Sequence, residues 1–115
     1  MVAHVVLFTP KPSTSAEDRQ AFVDALEAAL RGIPSVVRAT VGRRFVAGRS
    51  YDALATTPYE YLAVLEFASR DDLRRYLDHP AHTALAQEFY DHLQVAAAFD
   101  FDVDDGADAR TLIQA

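Results

Sequence analysis

The sequence predicts an α+β domain in which two helical segments cover one face of a four-stranded antiparallel sheet. Three observations predict it. Four short apolar runs with period-two alternation mark strands. Two stretches with apolar residues at helical spacing sit between the first and second runs and between the third and fourth. The second of these stretches is interrupted by Pro80. The order is β-α-β-β-α-β with a split second helix, the ferredoxin-like plan.

Val2 to Thr9 is the first strand, ended by Pro10 and Pro12. His4, Val6 and Phe8 share one face, and Ala3, Val5 and Leu7 share the other. Ser15 with Asp18, or Thr14 with Glu17, has the spacing of a capping box. The helix it opens carries Phe22, Ala25, Leu26, Ala29 and Leu30 on one stripe, and Gly32 and Pro34 stop it. Val36 to Val46 is rich in valine and reads as the second strand, followed by a loop from Ala47 to Pro58. Arg43, Arg44 and Arg49 form a basic cluster there, read as a solvated rim.

Tyr59 to Phe67 is the third strand, with Tyr59, Tyr61, Ala63, Leu65 and Phe67 on one face. Ser69 with Asp72 is a second capping signature, opening a helix that carries Leu73, Tyr76 and Leu77. Pro80 disfavours helical geometry at His79 and suits the first turn of a new helix, which carries Leu85, Phe89 and His92. Val95 to Val103 is the last strand. Ala96, Ala98, Asp100 and Asp102 lie on one face, and Val95, Ala97, Phe99, Phe101 and Val103 on the other. Residues 2 to 103 read as a single domain, and residues 104 to 115 as a polar, acidic, mobile tail.

With 115 residues the chain is one domain by length, and burying roughly two thirds of its unfolded surface gives it one core. Acidic residues outnumber basic ones 17 to 11, for a net charge of -6. That argues against nucleic acid and anionic membrane surfaces as partners. The absence of cysteine removes disulfides, thiol chemistry and Cys-type zinc sites, with the cytoplasm as the expected compartment. The first apolar run is interrupted by His4 and lacks a basic start, so it reads as a strand and not as a signal peptide. No apolar run approaches the ~20 residues of a membrane span.

Both faces of the predicted sheet are apolar, whereas an antiparallel sheet facing water shows a polar side. A homodimer packed through the sheet face, burying ~1,600 Å² or more, closes that surface.

The stretch Tyr76 to Leu85, YLDHPAHTAL, holds two of the four histidines. If the His4 face meets the helices, His4 points towards Tyr76 and His82. A neutral imidazole suits abstraction of an acidic proton beside a carbonyl, and a tyrosine hydroxyl can orient it or hold the carbonyl. Each group also has an ordinary structural reading. His79 reads as a brace at the helix break, His92 as core edge or solvent-facing, and Tyr59 and Tyr61 as strand aromatics. H-P-x-H across a helix break has no metal-ligand spacing, and the acidic run at Asp100 to Gly106 is out of register for a calcium loop. No metal and no cofactor are expected.

The pieces HVVLF at His4 to Phe8, the helix through Phe22 and Leu26, YLAVLEFAS at Tyr61 to Ser69, YLDHPAH at Tyr76 to His82 and FDF at Phe99 to Phe101 resemble the stress-responsive A/B barrel (Dabb) family. The resemblance covers nearly all of residues 2 to 103 and implies a dimeric α+β barrel. In its olivetolic acid cyclase branch, a polyketide is closed by aldol condensation without metal or organic cofactor. On that resemblance His82 matches the general base, Tyr76 the tyrosine that helps hold substrate and base, and His4 a pocket histidine on the first strand. The pocket is expected to be lined by Val6, Phe8, Phe22, Leu26, Ala63, Leu85, Phe89, Ala96 and Ala98. Leu26 stands where that branch has a tyrosine, and Ala63, Ala96 and Ala98 stand where it has bulkier aliphatic residues.

Three functions follow as expectations. The first is a cofactor-independent cyclase or proton-transfer enzyme acting on a small hydrophobic carbonyl or polyketide-like compound. The second is a non-catalytic, stress-responsive dimer that binds a ligand in the same cavity. The third, by fold analogy alone, is an oxygen-using monooxygenase or haem-related enzyme.

Overall fold

A computed structural model describes residues 1–104 and 109–113. The elements are β1 (Val2–Pro10), α1 (Ala16–Gly32), β2 (Arg38–Arg43), β3 (Tyr61–Phe67), α2 (Arg70–Asp78), α3 (Pro80–His92) and β4 (Leu93–Asp102). Short 3-10 turns span Ser50–Leu54 and Ala109–Ile113. The order is the one expected. The sheet runs β2-β3-β1-β4 with every neighbouring pair antiparallel, the ferredoxin-like topology.

Helix starts follow local chemistry. Ser15, not Thr14, caps α1 by accepting from the Asp18 amide at 3.0 Å. Ser69 caps α2 by accepting from the Asp72 amide at 3.1 Å. The Asp72 carboxylate accepts from Arg75 instead of reaching back to the cap.

Strands β2, β3 and β4 differ from the sequence expectation by two residues or more at one or both ends. β2 is confined to Arg38–Arg43 where Val36 to Val46 was expected. Its alternation continues beyond the pairing strand, but the Val36 amide already closes a turn on the Ile33 carbonyl, and β3 begins opposite Arg43. β3 begins at Tyr61, two residues later than expected, because Tyr59 turns back onto the Thr57 carbonyl. β4 begins at Leu93, two residues early, because α3 feeds straight into it across a register shift at Thr9 and Pro10. Half of the tail expected to be mobile, residues 105–108 and 114–115, lies outside the described residues.

The core lies between the helices and one sheet face. Val2, Val6 and Phe8 from β1 and Ala63, Leu65 and Phe67 from β3 pack against Phe22, Ala29, Leu73, Tyr76 and Leu85. Phe8, Phe22 and Phe89 form an aromatic cluster with ring centroids 5.2 to 5.5 Å apart. An Arg70 to Asp102 ion pair joins the start of α2 to the end of β4, and the guanidinium holds the Asp102 carboxyl below its usual range.

The opposite sheet face carries Val5, Leu7, Leu62, Val64, Phe99 and Phe101, brought side by side by the strand register. Phe99 and Phe101 are each 51% exposed. No described helix is long and apolar enough to cross a membrane.

Phe67 is 0% exposed and packs against Tyr76, so Phe67→Ala is expected to cost about 3–5 kcal/mol in urea unfolding. Val37→Ala, on a side chain 61% exposed, should stay within about 0.5 kcal/mol.

Candidate functional site

The site is built around the break between α2 and α3. Pro80 forces His79 into extended geometry (φ -71°, ψ 140°), where His79 serves as the N-cap of α3. Its Nδ1 accepts from the Ala81 amide at 3.0 Å, so His79 braces the turn as expected. The redirected chain places His82, in the first turn of α3, against Tyr76, in the last turn of α2. Their ring centroids are 4.8 Å apart in an edge-on arrangement. On the other side of Tyr76 stands His4 from β1, at 5.9 Å.

These three rings line one cavity of about 530 Å³. Val6, Leu85, Phe89, Ala96, Ala98 and Asp100 also line it, as do Tyr90, Leu93 and Gln94. Its volume is within the range of small-molecule sites. β4 is the outer strand on this side, and Ala96 and Ala98 have only methyl groups to offer, so the space between β4 and α3 stays open.

The electrostatics separate the three groups. His82 is half-buried, and its pKa is lowered first by desolvation and then by the charge of His4, with a hydrogen bond to the Leu77 backbone pulling the other way. At pH 7 it is therefore a neutral imidazole with a free lone pair. Tyr76 is 2% exposed, and burial pushes its pKa up to about 12, so it remains a hydrogen-bond donor. A buried tyrosine hydroxyl normally finds a partner. That of Tyr76 has none among the described residues. His4 Nδ1 pairs with Asp100 Oδ1 at 2.5 Å, which fixes the imidazole orientation.

Of the residues expected at the site, His4, Tyr76, His82, Val6, Leu85, Phe89, Ala96 and Ala98 share this cavity. Phe8, Phe22 and Leu26 do not. They line a separate cavity on the β2 side, because the aromatic cluster fills the space between the two. Ala63 lines neither and is closed into the core. Asp100 was missed. Its signal was present, since it shares a β4 face with Ala96 and Ala98, but only the strand register shows it opposite His4. His92 sits 3.3 Å from Glu88 and away from the imidazole pair, lining the β2-side cavity.

The chain matches the Stress responsive A/B Barrel Domain over residues 2–103. It belongs to this Dabb family. No curated protein matches the chain at a significant level. Among solved structures, it is similar to a dimeric ferredoxin-like protein of unknown function from Thermobifida fusca (TM-score 0.67, 24% identity, 89% of this chain and 90% of that one). It is also similar to a hydroxynitrile lyase from Passiflora edulis (TM-score 0.74, 14% identity, 90% and 94% covered). A third is SnoaB, a cofactor-independent oxygenase from Streptomyces nogalater (TM-score 0.64, 22% identity, 93% and 96% covered). At these identities the likeness establishes the fold. The solved structures that share this fold thus include both enzymes and proteins of unknown function.

The raised Tyr76 pKa has a stability consequence. The unfolded tyrosine ionises near its ordinary pKa of 10 and the folded one near 12, so its contribution is complete below pH 10 and lost as pH rises towards 12. Two pKa units correspond to roughly 2–3 kcal/mol. Denaturant titrations of wild type and Tyr76→Phe across this window should show the alkaline loss in the wild type and its absence in the variant.

Proposed function

We propose that this protein is a homodimer that binds a small hydrophobic carbonyl compound in the His4–Tyr76–His82 cavity and catalyses cofactor-independent proton transfer on it. The supporting observation is the convergence of the three rings, from β1, α2 and α3, on one cavity with His82 held neutral.

In this reading His82 is the base that takes a proton from the carbon beside the carbonyl. The Tyr76 hydroxyl donates to the carbonyl oxygen, where negative charge develops. His4, held by Asp100, offers Nε2 as a second proton-transfer position across the Tyr76 ring. Ring closure of a polyketide-like chain needs this pairing of a base with a donor to oxygen, whereas cleavage of a hydroxynitrile needs the base to take the hydroxyl proton as the C–C bond to cyanide breaks. The apolar walls made by Val6, Leu85, Phe89 and the two alanines suit the remainder of such a molecule.

The test is deuterium uptake from D₂O at the carbon between the carbonyls of apolar β-diketones, followed by NMR, with mandelonitrile cleavage assayed in parallel. His82→Asn should lower the active reaction by about 10²–10⁴-fold. The acid limb of the rate profile should lie below the ordinary histidine pKa of about 6.5. Ligand-dependent thermal stabilisation with no exchange and no cleavage would instead assign the cavity to a non-catalytic binder. An unchanged rate in His82→Asn would remove His82 as the base.

The dimer is proposed from the apolar outer sheet face, where Phe99 and Phe101 stand half-exposed beside Val5, Leu7 and Val64. A sheet of this composition covers such a face with another protein surface. Light scattering after size-exclusion should give the mass of two chains for the wild type. The double variant Phe99→Asp, Phe101→Asp should give one chain. A wild-type monomer at micromolar concentration would contradict the proposal.

A further inference from the structure

We infer that the β2-side cavity is a second binding site, for an apolar molecule with an anionic carboxylate head, distinct from the His4–Tyr76–His82 cavity. It measures about 430 Å³ and opens between α1 and β2. The two cavities meet only at Leu93 and are otherwise divided by the packed rings of Phe8, Phe22 and Phe89.

The cavity exists because the helices do not reach β2. Val41, on the helix-facing side of β2, is 58% exposed. The floor and walls are Phe8, Phe22, Leu26, Val41 and Tyr61. Two cations stand among these apolar groups. Arg19 comes from the second turn of α1, and Arg43 from the last position of β2, with its guanidinium 6.0 Å from the Tyr61 ring centroid.

The charge pattern identifies the occupant. No aspartate or glutamate lines this cavity. Arg38, Arg70, Arg74 and Arg75 each have a carboxylate partner within 4 Å, but Arg19 and Arg43 have none among the described residues. In a chain of net charge -6, an apolar cavity with two arginines and no carboxylate is a place that selects an anion. Guanidinium groups match a carboxylate in planar, charge-assisted hydrogen bonds, and the aliphatic part of the ligand would rest on the phenylalanine, leucine and valine side chains. The arginine near the end of β2, read from the sequence as part of a solvated rim, thereby acquires a role through its position beside Tyr61. This inference does not depend on the chemistry proposed for the other cavity.

Decanoate below its micellar concentration is the probe, with 1-decanol as the uncharged control. Decanoate should bind about tenfold or more tightly than decanol, the difference expected from charge-assisted hydrogen bonds. It should shift the amide resonances of Leu26, Val41 and Tyr61 and leave those of His4 and His82 unmoved. The double variant Arg19→Gln, Arg43→Gln, both at exposed positions, should abolish the preference for decanoate while leaving the fold intact. Leu26→Trp should block binding by filling the cavity. Equal binding of decanoate and decanol, an unchanged affinity in the double arginine variant, or shifts centred on His82 would overturn the inference. So would a complete lack of decanoate binding, the result expected if a second copy of the chain closes the cavity.

Discussion

The candidate site depends on one backbone constraint, the refusal of the residue before Pro80 to be helical. Without it α2 and α3 would run on as a single helix, and Tyr76 and His82, six positions apart, would project from different sides of it. With His79 extended, the chain turns between the two residues and brings their rings to 4.8 Å. The same turn satisfies its own backbone donors. The Ala81 amide is taken by the His79 side chain, and the His82 amide by the His79 carbonyl. A proline and a histidine thus convert a helix break into a fixed corner, and Tyr76 is wedged behind it against Phe67 and His4.

The second determinant is what β4 lacks. On the helix-facing side of β1, three residues are opposed across the β4 pairing by small or polar ones: Phe8 by Ala96, Val6 by Ala98, His4 by Asp100. Bulky residues at the two alanines would fill the space beside α3. Asp100, instead of filling, pairs with His4 and gives that imidazole one orientation. Burial then differentiates the rings: it lowers the pKa of His82 and raises that of Tyr76 to about 12, on two adjacent side chains. On the far side of the aromatic cluster, the short β2 leaves a second opening with a different chemical character, apolar walls with guanidinium groups.

Much of this was legible in the sequence because it rests on local rules. Alternation marked the faces of β1 and β3, Ser15 and Ser69 marked helix starts, and Pro80 marked the corner. The convergence of His4 on Tyr76 and His82 was legible only on the condition that the His4 face of β1 meets the helices, which it does. What could not be read was non-local. The end of β2 depends on where its partner strand begins, not on its own valines. The division into two cavities depends on three phenylalanines from three elements meeting. Phe8, Phe22 and Leu26 were therefore assigned to the imidazole cavity although they line the other one. Asp100 could be placed on the right face, but its partner was fixed only by the register of β4 against β1.

The claim on which the functional account rests is that Tyr76 stands between the two imidazoles at the wall of an open cavity. Aromatic nuclear Overhauser spectroscopy on protein labelled at histidine and tyrosine tests it directly. The account predicts cross-peaks from the Tyr76 ring protons to ring protons of both His4 and His82, at centroid separations of 5.9 and 4.8 Å. Contacts from Tyr76 to neither imidazole, or to only one of them, would contradict it.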